Sequence, residues 1–382
     1  MIDYLRQLPD RLTRITTSSK LIKEIDGLRF AAILPVVVNH LQQRVMDNAP
    51  VPIEENTASI YVGRGGVGVE LFFVISGFVL ALPFASHYLF GSKKVNLKSY
   101  FVRRLTRLEP PYVISMTGFL IVLLVIVNMP FSEIFPHYLA SIFYMHNIIY
   151  HTWSALNPVA WSLEVEVQFY ILAPLLAFVF FSHGNRKHIN LLLFISIIAI
   201  ILIQQYFGLQ KPPYFLTILA YFQLFLTGFI LVNLYLTSWK KHVVRSYVFD
   251  VLGIVAFVGM FMSTGFDLHK RLLLVLFIFL FIYSVFRGKL INSFFTNKWV
   301  TSIGGMCYTI YLLHLPLAEL YIRLAKPLYI GNTWGINLLI HTLVFLPLVL
   351  IISIVFFLLV EKPCMDRDWP KKLIMWFRAR FS

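Results

Sequence analysis

Arg29 and His40 stand eleven residues apart in DGLRFAAILPVVVNHL, a mostly apolar run. In an α-helix, eleven residues make three turns with about 20° of residual rotation, so both side chains share one face, about 16 Å apart along the axis. A guanidinium binds anionic oxygens, and histidine is the side chain that most readily moves a proton near neutral pH. The bland alternative for a histidine on an apolar helix is a packing hydrogen bond to a neighbouring helix.

Other ionisable residues also sit in apolar runs, where they are costly to bury. GRGGVGVELFFVISGFVL holds Glu70 and Ser76 among glycines. Gly65, Gly66, Gly68 and Gly77 read as close-approach positions between helices. Glu70 reads as a proton carrier or as a partner for an Arg or His. In FVRRLTRLEPPYVI, Arg104 and Arg107 share a helix face and suit bidentate contact with phosphate; a stop-transfer cluster is the plainer alternative. WSLEVEVQFYILAPLL places Ser162, Glu166 and Tyr170 on one face and Glu164 with Gln168 on another, so at least one face looks into a polar space. GGMCYTIYLLHLPL adds Tyr308, Tyr311 and His314, and VEKP adds Glu361 and Lys362 near the end of the last run.

The elements that carry these residues are membrane helices. The chain is 58% hydrophobic and 13% charged, against about 25% charged in soluble domains. Its mean hydropathy is +0.75. Apolar runs of roughly twenty residues recur near 28–45, 67–90, 111–128, 159–181, 189–206, 214–236, 247–265, 270–286, 300–322 and 335–360. They are too long and too weakly alternating for barrel strands. The expected fold is therefore all-α, a polytopic bundle of about ten spanning helices over 28–360. A basic segment at 1–27 precedes it and a basic tail at 361–382 follows it.

With an inner N-terminus, 26 of the 33 Lys and Arg fall on one side, which places both termini in the cytoplasm. The same bias, with attraction to anionic lipid, accounts for most of the +15 net charge and leaves no case for nucleic acid. Leu5, Leu8, Leu12 and Ile15 recur at helical spacing among arginines, as in a surface helix on the inner leaflet. The short run 138–150 fits a re-entrant or interfacial piece. Cys307 and Cys364 have no evident way to meet, and neither a disulfide nor a metal site is expected.

Taken in order, DGLR with its histidine, GGVGVELFFVISGF, RRLTRLEPPY, WSLEVEVQFY, GGMCYTIYLLHLPL and VEKP resemble acyltransferase family 3 of the membrane O-acyltransferases. The resemblance spans residues 24 to about 366. It implies an enzyme with no bound cofactor that moves an acyl group, usually acetyl, from cytoplasmic acyl-CoA to a hydroxyl of an extracytoplasmic or lipid-linked glycan. The family's first-span Arg and His fall on Arg29 and His40, its third-span Arg pair on Arg104 and Arg107, and its fourth-span glutamate on Glu166.

The sequence departs from the family where Val167 takes the place of a second glutamate, Glu164 that of a serine, and Glu70 that of a frequent Asp. Many relatives carry a C-terminal hydrolase-like domain; none is expected here. On this reading the arginines dock the nucleotide phosphates and His40 serves as general base. Glu166 or Glu70 orients the imidazole, with Ser162 and Tyr170 in the binding region. A covalent acyl-histidine stays open as a second route. A transporter or flippase of a polar or lipid-linked substrate is the competing class, and a non-catalytic export component the third.

Overall fold

The computed structural model describes residues 8–15, 21–182, 186–239, 244–366, 368–372 and 375; among these, all regular structure is helical. The principal helices are α1 (Lys23–Asp47), α2 (Val67–Phe90), α3 (Leu97–Val125), α4 (Trp161–Phe181), α5 (Arg186–Phe207), α6 (Phe222–Leu234), α7 (Val248–Met262), α8 (Leu268–Arg287), α9 (Lys298–Gly305), α10 (Cys307–Leu324) and α11 (Trp334–Phe356). The chain is a polytopic membrane protein.

Among the described residues, seven helices are long and apolar enough to cross a bilayer, and the pair α9 and α10, bent by 67°, brings the number to eight if it is counted as one broken span. The two remaining expected runs are also helical. α1 has 25 residues but is polar at both ends, and α7 is apolar but has only 15 residues.

Two expected runs are not continuous helices. The run at 214–236 begins as two short 3-10 turns and becomes α-helical only at Phe222. Its freed backbone groups find side-chain partners: Ile218 N–H donates to Gln168 Oε1 at 2.9 Å, and Asn147 Nδ2 donates to the Leu216 carbonyl at 3.3 Å. Irregular backbone is tolerated at membrane depth only when it is satisfied in this way. The run at 300–322 breaks at Met306, next to Gly304 and Gly305.

In lipid, apolar area drives little helix association, so close backbone approach matters more. α2 packs against α1, α4 and α6. A Cβ at Gly65 would lie 2.2 Å from the Pro35 carbonyl oxygen, and one at Gly68 would lie 2.1 Å from that of Ala32, which fixes α2 on α1. Against α6 the seam is reciprocal. A Cβ at Gly77 would meet the Phe225 carbonyl at 2.2 Å, and one at Gly228 the Phe78 amide nitrogen at 2.4 Å. Gly66 differs from the packing reading, because a Cβ there meets nothing within 4 Å. Phe169 of α4 stacks on Phe225 of α6 with centroids 4.0 Å apart.

Before α1, residues 8–12 are helical and Leu12 is buried in the core. Leu5, the first member of the expected surface stripe, lies outside the described residues.

Candidate active site

His40 and Arg29 both lie on α1, as their spacing requires. The half-buried His40 ring is not held by a carboxylate. Its Nδ1 lies 2.8 Å from Nε2 of His314 on α10, and the two rings stack with centroids 5.1 Å apart. His314 Nδ1 lies 2.8 Å from the Tyr311 carbonyl and 3.1 Å from that of Ile310.

These contacts assign the tautomers. A carbonyl only accepts, so the proton of neutral His314 is on Nδ1 and its Nε2 carries a lone pair. His40 therefore donates from Nδ1 and keeps the lone pair on Nε2, which makes no hydrogen bond among the described residues. That atom is chemically able to take a proton from a substrate hydroxyl.

From the histidines a line of polar side chains runs toward the arginines. The Tyr311 hydroxyl donates to the Val159 carbonyl at 2.9 Å, so the 2.8 Å contact between Ser162 and Tyr311 is donated by the serine. One turn further along α4, Glu166 accepts from Ser76 at 2.6 Å, and the Tyr170 hydroxyl also interacts with Glu166. The guanidinium of Arg104 lies over the Tyr170 ring, 4.6 Å from its centroid.

At the N-terminal end of α1 the arginines converge. Arg29 is held by Asp26 at 2.8 Å. Arg107 has Arg29, Arg104, Glu361 and Tyr170 as electrostatic neighbours, and Glu361 accepts from Thr309 at 2.5 Å. Arg104 and Arg107 are half-buried, and each has a buried Nε without a hydrogen-bond partner. Among the described residues neither makes an ion pair within 4.0 Å. Buried guanidinium donors left without a partner are a standing invitation to an anion.

The remaining sequence-predicted residues are placed elsewhere. Glu70 does not reach His40. It pairs with Arg271 at 2.5 Å, and Arg271 is 1% exposed. Glu166, the other expected orienting carboxylate, belongs to the Ser76 and Tyr170 cluster, and the hydrogen-bonding partner of His40 is His314. Glu164 is spent on backbone, accepting the Asn147 amide at 2.8 Å. It thereby anchors the short helix His146–Tyr150, the heart of the 138–150 segment, to the start of α4.

Sequence reasoning missed the role of His314, 274 residues from His40, and the pairing of Arg271 with Glu70 across 201 residues. His314 carried a signal nonetheless, as a second histidine in an apolar run beside tyrosines.

The described residues thus bring a histidine pair, hydroxyl groups, a carboxylate and several arginines together within one helix bundle. The family model described as "Acyltransferase domain" matches residues 22–358, and the chain belongs to that family, acyltransferase 3.

The chain is similar to the O-acetyltransferase OatA of Staphylococcus aureus strain NCTC 8325 / PS 47, with 27% identity over 351 residues covering 82% of this chain and 54% of the relative. The protein of the same name from strain COL matches at 27% identity with the same coverage, 82% and 54%. The chain thus spans about half the length of the curated relatives it matches. No solved structure matches it.

Proposed function

We propose that this protein is an O-acetyltransferase of the cell membrane. It takes an acetyl group from cytoplasmic acetyl-CoA and esterifies a hydroxyl of a cell-envelope or exported glycan or glycolipid. Ten spans with both termini cytoplasmic put the arginine cluster on the donor side. The reading is carried by the hydrogen-bond chain from Tyr311 through His314 to His40, which leaves His40 Nε2 with a free lone pair three helical turns from Arg29.

Arg29, Arg104 and Arg107 hold the nucleotide phosphates, and the pantetheine arm extends past Glu166 and Ser162 toward the histidines. Over roughly 16 Å of helix, that arm brings the thioester to His40. His40 Nε2 removes the acceptor's hydroxyl proton as the oxygen attacks the thioester carbonyl. The C–O bond forms and the C–S bond breaks. The departing CoA thiolate takes the proton back from the imidazolium, which restores the base. His314 stabilises the charge on His40 while it is protonated. The names of the OatA relatives favour acetyl as the group transferred.

The test is acyl transfer from labelled acetyl-CoA in reconstituted membranes, with mass spectrometry of envelope glycans and lipids from cells with and without the protein. His40→Ala is expected to be nearly inactive, and Arg104→Ala to raise KM for the donor. Substantial turnover by His40→Ala would remove the base assignment. Glycans and lipids unchanged by loss of the protein would remove the acceptor assignment.

A further inference from the structure

The segment before α1 crosses the inner end of the bundle and is pinned there. Ser302 Oγ shares its proton between the Lys298 carbonyl at 2.7 Å and the Pro9 carbonyl at 3.0 Å, Lys362 Nζ donates to the Arg11 carbonyl, and Lys298 pairs with Asp10 at 3.4 Å. With Leu12 buried, this strap holds Arg14 against the arginine cluster. Arg14 Nε lies 2.8 Å from Asp26, the carboxylate that also holds Arg29 at 2.8 Å. The Arg14 side chain is only 9% exposed. Burial, with Arg29 and Arg107 as neighbouring cations, brings its guanidinium down to about 10 against the pull of Asp26.

Four half-buried arginines therefore share one region, with Asp26 as the carboxylate bound by two of them. Two of the four, Arg104 and Arg107, carry an unpartnered Nε. Glu361 and Glu166 offset part of the positive charge, and the cluster keeps a surplus of cationic donors that a multivalent anion can engage.

We propose that Arg14 is a fourth docking group for the phosphates of the acyl-CoA donor, and that residues 8–15 form a strap across the donor mouth. The inference rests on the donor assignment made above and extends it to a segment outside the spanning helices. Asp26 keeps Arg14 and Arg29 side by side, so one phosphate group can engage both.

The experiment uses the full chain in bilayers of neutral phosphatidylcholine, with acetyl-CoA compared to acetyl-pantetheine, which lacks the nucleotide phosphates. Arg14→Gln is expected to raise KM for acetyl-CoA about tenfold, the worth of one charge-assisted contact, with kcat within twofold and KM for acetyl-pantetheine unchanged. Arg14→Lys is expected to recover part of the loss. In the wild-type chain, CoA alone is expected to slow tryptic cleavage after Arg11.

An unchanged KM for acetyl-CoA, or equal losses with both donors, would overturn the assignment and leave Arg14 structural. A loss seen only in anionic vesicles would overturn it in favour of a lipid phosphate. If Arg14→Gln fails to assemble, absence of CoA protection in the wild-type chain overturns the proposal. Failure of the wild-type chain to use acetyl-CoA would instead remove the donor assignment, and the strap's role with it.

Discussion

Replacing His314 with Ala deletes the acceptor that holds His40 Nδ1–H, at 2.8 Å, and with it the tautomer that leaves Nε2 free. In the resting site this is one hydrogen bond between neutral groups, worth about 1 kcal/mol. When His40 carries a proton in the transition state the bond becomes charge-assisted, worth ~1.5–3 kcal/mol. Only the difference, ~0.5–2 kcal/mol, acts on the chemical step, and each ~1.4 kcal/mol is a factor of ten, so kcat is expected to fall about 2- to 30-fold. Loss of the base itself, in His40→Ala, removes ~10²–10⁴.

His314→Gln supplies the sharper comparison. Its amide oxygen can sit near the position of Nε2 and accept from His40, so part of the rate is expected to return. The assay is single-turnover acetyl transfer at saturating donor, normalised to folded protein in the membrane. His314→Ala within twofold of wild type would refute the tautomer argument, as would a Gln variant no better than Ala.

The other predictions concern the frame. Breaking the buried pair in Glu70→Gln or Arg271→Gln leaves one partner uncompensated, with an expected loss of ~3–5 kcal/mol, whereas Glu70→Leu combined with Arg271→Met is expected to be milder; thermal unfolding in detergent measures both. Gly304→Ala puts a Cβ 1.8 Å from the Asp26 carbonyl oxygen and is expected to cost ~1–3 kcal/mol or more, while Gly66→Ala is neutral in the same melt. His146, at the start of the short helix His146–Tyr150, is lowered from 6.5 to about 4 by burial and then by His137. The folded loop thus excludes a proton that the released loop binds, so its docking weakens as pH falls from about 6.5 toward 4, readable as rising protease cleavage in 143–157.

The helices were legible because twenty-residue apolar runs leave the backbone no other option in lipid. The interruptions were less so. The 3-10 start before Phe222 depends on Gln168 and Asn147, which are distant in sequence, and the 67° break at Met306 depends on Gly304 meeting the backbone of α1. In the candidate site, spacing within one helix placed Arg29 and His40 on α1, and Ser162, Glu166 and Tyr170 along one line. Partnerships between helices were hidden. Glu164 and Glu166 are two residues apart, yet one binds a loop amide and the other Ser76, a division set by which helix each face meets. Arg271 looked like one of seven outer cations until the fold brought it to Glu70.

The reciprocal glycine seam between α2 and α6 has a genetic consequence. The group that a new side chain would strike at Gly77 or Gly228 is main chain, so no change of amino acid at the opposing position can clear room for it. Defects at these two sites should be without local suppressors. At Gly259 the obstacle is the Phe277 ring, and at Gly253 it is mainly the Ile291 side chain. Trimming those residues can restore what a larger residue at the glycine removed. A suppressor screen started from alanine at each of the four glycines should therefore return second-site revertants for 253 and 259 at the facing residue, and for 77 and 228 only true reversion.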